Sequence, residues 1–209
     1  MTDESGEIKP ATENSTVSAP QPKQKKENFF LETVKFIVIT LLIVIPFRYF
    51  IAQPFIVSGD SMVPTFENGE YLIVDEISYR FSPPARGDVV IFRYPLDPSK
   101  FFIKRIIGLP GETVQIKGTA VQITTTDGIT ETLNEPYVTT SRDDNINVKL
   151  QTNQYYVLGD NRPASSDSRI WGPLPSNDII GKPVVRLLPL NRIGLSPGAK
   201  NETATTTNF

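Results

Sequence analysis

The run Phe55-Ile56-Val57-Ser58-Gly59-Asp60-Ser61-Met62-Val63-Pro64-Thr65 decides how the chain reads. It begins as apolar strand material, breaks at Gly59, presents Ser61 beside Met62, and is kept from continuing as a regular element by Pro64. It follows almost directly on the most hydrophobic segment of the chain. A serine after glycine is in most proteins only a turn residue. At the end of a strand, beside so apolar a segment, it is an odd residue to leave idle.

Upstream of this run, Phe36 to Phe47 is apolar apart from Thr40 and Pro46. As one helix from about Phe29 to Phe50 it would span ~33 Å at ~1.5 Å per residue, about the hydrocarbon thickness of a bilayer. Glu32 and Lys35 lie near its first turns, where long side chains snorkel, and Pro46, Arg48 and Tyr49 mark its far interface. A cleaved secretory signal is the competing reading of the apolar core, but no small-x-small site follows it. Lys23, Lys25 and Lys26 precede the helix, and after Arg48 the next basic residue is Arg80. The positive-inside rule then puts the N-terminus in the cytoplasm and everything after residue 50 outside, in a single-pass protein of the plasma (inner) membrane. Residues 1–27, polar and nearly free of apolar side chains, read as a disordered cytoplasmic tail.

Downstream, the pattern is β. Strands are expected at Glu70–Asp75, Asp88–Arg93, Phe101–Ile107, Thr113–Ile116, Ala120–Thr124, Ile129–Leu133, Gln154–Leu158 and Ile179–Leu188, separated by Gly, Pro and Asn turns. Residues 134–153 are polar, with Arg142 to Asn145 expected as an exposed loop, and 159–175 are loop-like. The expected domains are a tail (1–27), an anchor (28–52), a mainly β extracytoplasmic domain (53–195) and a disordered tail (196–209).

Of the 209 residues, roughly 155 remain for that domain, enough for one real core. Net charge is −2, which points to no nucleic-acid partner. The chain has no His and no Cys. That removes Ser-His-Asp and Cys-His catalysis, thiolate metal sites and disulfides, and leaves only carboxylates as metal ligands. No cofactor and no metal is suggested. If Ser61 is a nucleophile, its proton must go to Lys, Asp or Glu.

Lys104 is the best acceptor. In Phe101-Phe102-Ile103-Lys104-Arg105-Ile106-Ile107, read as a strand, Lys104 shares a face with Phe102 and Ile106 while Arg105 points the other way. Burial penalises the ammonium; a pKa fall of about 3 costs about 4 kcal/mol and makes lysine a usable base near neutral pH. The competing reading is an edge-strand lysine with its amine in water. A third segment, Gly159-Asp160-Asn161-Arg162-Pro163-Ala164-Ser165-Ser166-Asp167-Ser168-Arg169, is dense in small polar and ionic residues. It reads either as an ordinary surface loop or as a loop fixed by its own ion pairs, with Ser165 able to orient an amine.

Together these segments resemble type I signal peptidases, membrane-bound serine proteases with a Ser-Lys dyad. The resemblance rests on Ser-Gly-Asp-Ser-Met-Val-Pro-Thr (58–65), Arg-Gly-Asp-Val-Val-Ile-Phe (86–92), Phe-Ile-Lys-Arg-Ile-Ile-Gly-Leu-Pro-Gly-Glu (102–112) and the 159–169 segment, in that order behind an apolar helix. It is weakest over 112–153. It implies an antiparallel β-sheet catalytic domain with a small, variable β insertion, here 113–153. It implies Ser61 as the acylating nucleophile, Lys104 as general base and Ser165 as the hydroxyl that holds the lysine amine. Asp160 with Arg105, and Asp167 with Arg169, match its structural ion pairs. Phe55, Val57, Met62, Phe102 and Ile103 would line shallow apolar pockets for a substrate bound as an added strand. One branch of the family carries an oxyanion-binding serine two residues before the nucleophile; this chain has Gly59 there.

The implied partners are signal-peptide-bearing precursor proteins and membrane lipid, with no nucleic acid. Three other readings stand beside this one: a self-cleaving repressor-type peptidase, a non-catalytic anchored β module that binds peptides or envelope partners, and a lipid-facing structural protein. The first lacks an anchor and carries DNA-binding segments; the last leaves the 159–169 loop without a role.

Overall fold

The computed structural model describes residues 29–50 and 52–199. The expected tail over 1–27 lies outside them. Helix α1 runs Phe29–Phe50, with Glu32 in its first turn. Its side chains from Phe29 to Val44 are exposed, and Thr33 Oγ1 donates to the Phe29 carbonyl one turn back at 2.8 Å. Among the described residues, no helix is long and apolar enough to cross a membrane.

The rest is mainly β. Strands β1 (Ala52–Ile56), β2 (Tyr71–Asp75), β3 (Val89–Tyr94), β4 (Asp97–Gly108), β9 (Gln154–Leu158), β10 (Leu174–Pro175), β11 (Ile179–Leu188) and β12 (Gly194–Leu195) form one antiparallel sheet. Its order is β1-β2-β11-β3-β4-β9-β10, with β12 on β11. In β3, Val89 to Phe92 are all buried, as a continuous apolar run in a central strand requires. β2 instead alternates, with Leu72 and Val74 turned inward.

Strand β4 changes character along its length. Its first residues are largely exposed, and from Lys104 to Gly108 it is buried. β3 pairs with it from Asp97 to Arg105, but β9 joins only from Arg105 onward. One backbone edge of residues 97–103 is therefore left without a strand partner among the described residues, and so is the outer edge of β1. The two open edges face each other: the Phe55 and Phe101 rings meet edge-on at 5.6 Å.

A second sheet, ordered β7 (Thr130–Thr132), β6 (Ala120–Thr124), β5 (Thr113–Gly118), β8 (Asp144–Lys149), occupies the expected insertion. Val114, Ile116, Val121 and Ile123 from it share one core with Ile107, Leu150, Tyr156 and Leu158. Strand β8 corrects the expectation of an exposed loop at 142–145. From Asp144 on, Asp-Asn-Ile-Asn-Val-Lys alternates, and Ile146 and Val148 pack against that core. The disordered tail expected from residue 196 is also corrected for its first residues. Ser196 N–H donates to Val184 O at 2.8 Å, and Pro197 and Gly198 are buried. Residues 200–209 of that expectation lie outside the described set.

Candidate active site

Strand β1 ends at Ile56, and the chain turns at Gly59, whose φ of +86° is left-handed and suits glycine. The Gly59 N–H is held by Asn68 Oδ1 at 2.9 Å. This turn delivers Ser61 to the inner end of the groove between the two open edges. From the opposite wall, β4 delivers Lys104. Its Nζ donates to Ser61 Oγ at 2.6 Å and to the Ile103 carbonyl at 2.8 Å, and lies 5.4 Å from the Phe102 ring centre.

Only 4% of Lys104 is exposed. Burial brings its pKa down from the ordinary lysine value to about 8, against the pull of the Asp167 and Asp160 carboxylates, which favour the charged form. A large fraction of the amine is neutral near that pH, with a hydroxyl in hydrogen-bond contact. This is the geometry a general base and its nucleophile require.

Behind Lys104, Arg105 points away from the groove. Its guanidinium grips Asp160 bidentately at 2.9 and 2.7 Å, and donates to Gly87 O and Gly198 O. Asp160 also accepts from Thr65 Oγ1 at 2.5 Å, four residues beyond Ser61. Asp167 caps the short helix α2 (Ser168–Trp171), pairs bidentately with Arg169 at 2.8 and 2.7 Å, and accepts the Gly159 N–H.

Asn161, to which sequence reasoning gave no role, touches the nucleophile loop directly. Its backbone N–H donates to Ser61 O at 3.0 Å and its side chain to Asp60 O at 3.1 Å. The loops approach so closely that a Cβ at residue 159 would collide with Ser165 Oγ and come within 2.5 Å of Ser61 O, so only glycine fits.

Two expectations are corrected by this geometry. Ser165 is buried beside the site, but the hydrogen bond expected from its hydroxyl to the lysine amine is not made. The amine is already engaged by Ser61 Oγ and Ile103 O, and Ser165 Oγ has no hydrogen-bond partner among the described groups. Met62 does not line the groove. It is 1% exposed and packs beneath the loop with Phe66, Leu72 and Val89, because the turn that lifts Ser61 outward sends its neighbour in. Phe55, Val57, Phe102 and Ile103 do line it, joined by Leu72, Ile91 and Ala164, around a cavity of about 420 Å³.

A family model described as signal peptidase, peptidase S26, matches residues 30–188. The chain belongs to the signal peptidase S26 family. Signal peptidase I of Leptolyngbya laminosa is 39% identical to it, over 93% of this chain and 96% of its own. A probable signal peptidase I-1 of Synechocystis sp. is 37% identical, over 84% and 89%. Signal peptidase I T of Bacillus subtilis is 33% identical, over 87% and 97%. In this signal peptidase S26 chain, which has no histidine, the groove ends where Lys104 Nζ meets Ser61 Oγ.

Proposed function

We propose that the chain is a membrane-anchored serine endopeptidase that removes N-terminal signal peptides from exported precursor proteins. The observation that carries this reading is the 2.6 Å contact between a buried lysine amine and the Ser61 hydroxyl. Family membership supplies the reaction class. Neutral Lys104 takes the Ser61 proton, and Ser61 Oγ attacks the peptide carbonyl carbon. The oxyanion rests on the Ser61 backbone N–H, since Gly59 offers no hydroxyl and its N–H is engaged by Asn68. Protonated Lys104 then gives its proton to the leaving amine as the C–N bond breaks. A water deprotonated by Lys104 releases the acyl group and restores Ser61.

The precursor binds as an added strand between the open edges of β1 and β4. Small side chains at the positions one and three before the cut suit shallow pockets walled by Phe55, Val57, Phe102 and Ile103. The anchor reading rests on the sequence: the run from Phe36 to Phe47, apolar apart from Thr40 and Pro46, suits lipid better than water. With the N-terminus cytoplasmic, the catalytic domain stands outside, and the anchor keeps Ser61 near the membrane face, where cleavage sites emerge. Nothing in the site favours the non-catalytic module.

The test uses detergent-solubilised full chain and a signal-bearing precursor. Lys104→Met and Ser61→Ala should each fold and lose at least about a thousandfold in cleavage. An alanine before the cut should be processed and a bulky residue there should not. An active Lys104→Met protein rules the scheme out.

A further inference from the structure

The linker between β7 and β8 crosses from the insertion sheet to the back of the site. Glu135 Oε1 accepts from Arg162 Nη2 at 2.5 Å and from Tyr137 OH at 3.0 Å, and the Glu135 and Arg162 side chains are 9% and 6% exposed. Arg162 Nε in turn donates to Gly159 O at 3.1 Å. The Tyr137 ring lies 3.9 Å from the Arg105 guanidinium, on the residue next to Lys104. Thr140 pairs with Asn161, whose N–H holds the Ser61 carbonyl. Farther along, Asp144 accepts from Arg142 at 2.7 Å and from Arg169 at 2.9 Å. One short segment thus touches Arg105, Asn161, Arg162 and Arg169, and each of these borders the dyad or the loop that carries its supports.

We propose that Glu135 and Tyr137 are positioning residues for the Ser61–Lys104 reaction, acting through Arg162 and Asn161 on the nucleophile and through Arg105 on the lysine. The proposal rests on the reading of Ser61 and Lys104 as the reacting pair. It ties the insertion to catalysis, because the linker braces the turn at 159–162 and so keeps the hydroxyl and the amine in register. A displacement of about 1 Å at reacting groups costs up to about a hundredfold in rate. Such a displacement need not alter how an extended substrate pairs with strand edges.

The experiment is steady-state cleavage by the full chain in detergent, on a fluorogenic peptide with alanine one and three residues before the cut, across pH 6 to about 10, the range around a lysine base. Glu135→Gln and Tyr137→Leu should lower kcat between about tenfold and a hundredfold, with KM within about twofold. The midpoint of the pH profile should also move upward, because a loosened loop admits water to the amine that Asp160 and Asp167 face. Tyr137→Phe keeps the ring over Arg105 and should stay near wild type. If both lowering variants keep the wild-type kcat and midpoint, whatever their melting temperatures, the two residues are merely structural and the proposal is overturned. Should Glu135→Gln fail to fold, the Tyr137→Leu and Tyr137→Phe pair decides, since neither leaves a charge unpaired. Ser61→Ala and Lys104→Met run alongside: activity in either overturns the dyad itself, a result distinct from the failure of the brace.

Discussion

Lys104 sits in conflict between what folding favours and what proton transfer needs. Burial lowers its pKa from 10.5 to about 8, so the unfolded chain takes up this proton more readily than the folded one. The resulting cost, about 3 kcal/mol, applies in full below pH 8 and fades as pH climbs from 8 to 10.5. Stability should therefore rise over that window in the wild type, and the rise should be missing from Lys104→Met when the two are melted in parallel. Cleavage should follow the same group from the other side. Its kcat/KM should fall about tenfold per pH unit below 8 and level off above it. A pH profile flat from 6 to about 9 would remove Lys104 as the base.

At the scale of elements, the site is built where β4 passes from open edge to buried core, within the interval between Phe101 and Arg105. The sequence offered two readings of Lys104, an amine buried between Phe102 and Ile106 on one strand face and an edge lysine in water, and the amine is buried. The Arg105–Asp160 and Asp167–Arg169 pairs are expected from the resemblance alone, and the residues so named do meet. Other features were not legible. The contacts of Glu135 with Arg162, Tyr137 with Arg105 and Asn161 with Ser61 join residues more than twenty apart in sequence and leave no local pattern. β8 was hidden because its outward positions are Asn and Lys, which look like loop. The inward turn of Met62 follows from a tertiary contact with Phe66 and Leu72. Since Arg105 is 2% exposed and its partner Asp160 0%, Asp160→Asn strips a buried cation of its counter-charge. It should cost about 3–5 kcal/mol of stability, read by urea melts. A loss under about 1 kcal/mol would mean that Gly87 O and Gly198 O suffice to hold the guanidinium.

At the scale of the β body, the two sheets share a core, so the insertion is no detachable appendage. Ile107, Leu150, Tyr156 and Leu158 of the main body are covered by Val114, Ile116, Val121 and Ile123. Each large apolar side chain uncovered forfeits about 1.5–3 kcal/mol. Excising residues 113–149 and closing the gap with a short linker should therefore give a chain without a cooperative melting transition, rather than a minimal peptidase. A soluble, sharply melting product would refute that.

The order of the main sheet has a further consequence. β11, one of the last strands in the chain, lies between β2 and β3, and the Gly198 carbonyl completes the grip on Arg105. A nascent chain that has emerged only to residue 178 holds both Ser61 and Lys104, but lacks the strand that joins their two halves of the sheet. Ser61 and Lys104 are thus made well before the strand that joins them, and the two can be brought together only once β11 has emerged, after α1 and the first strands.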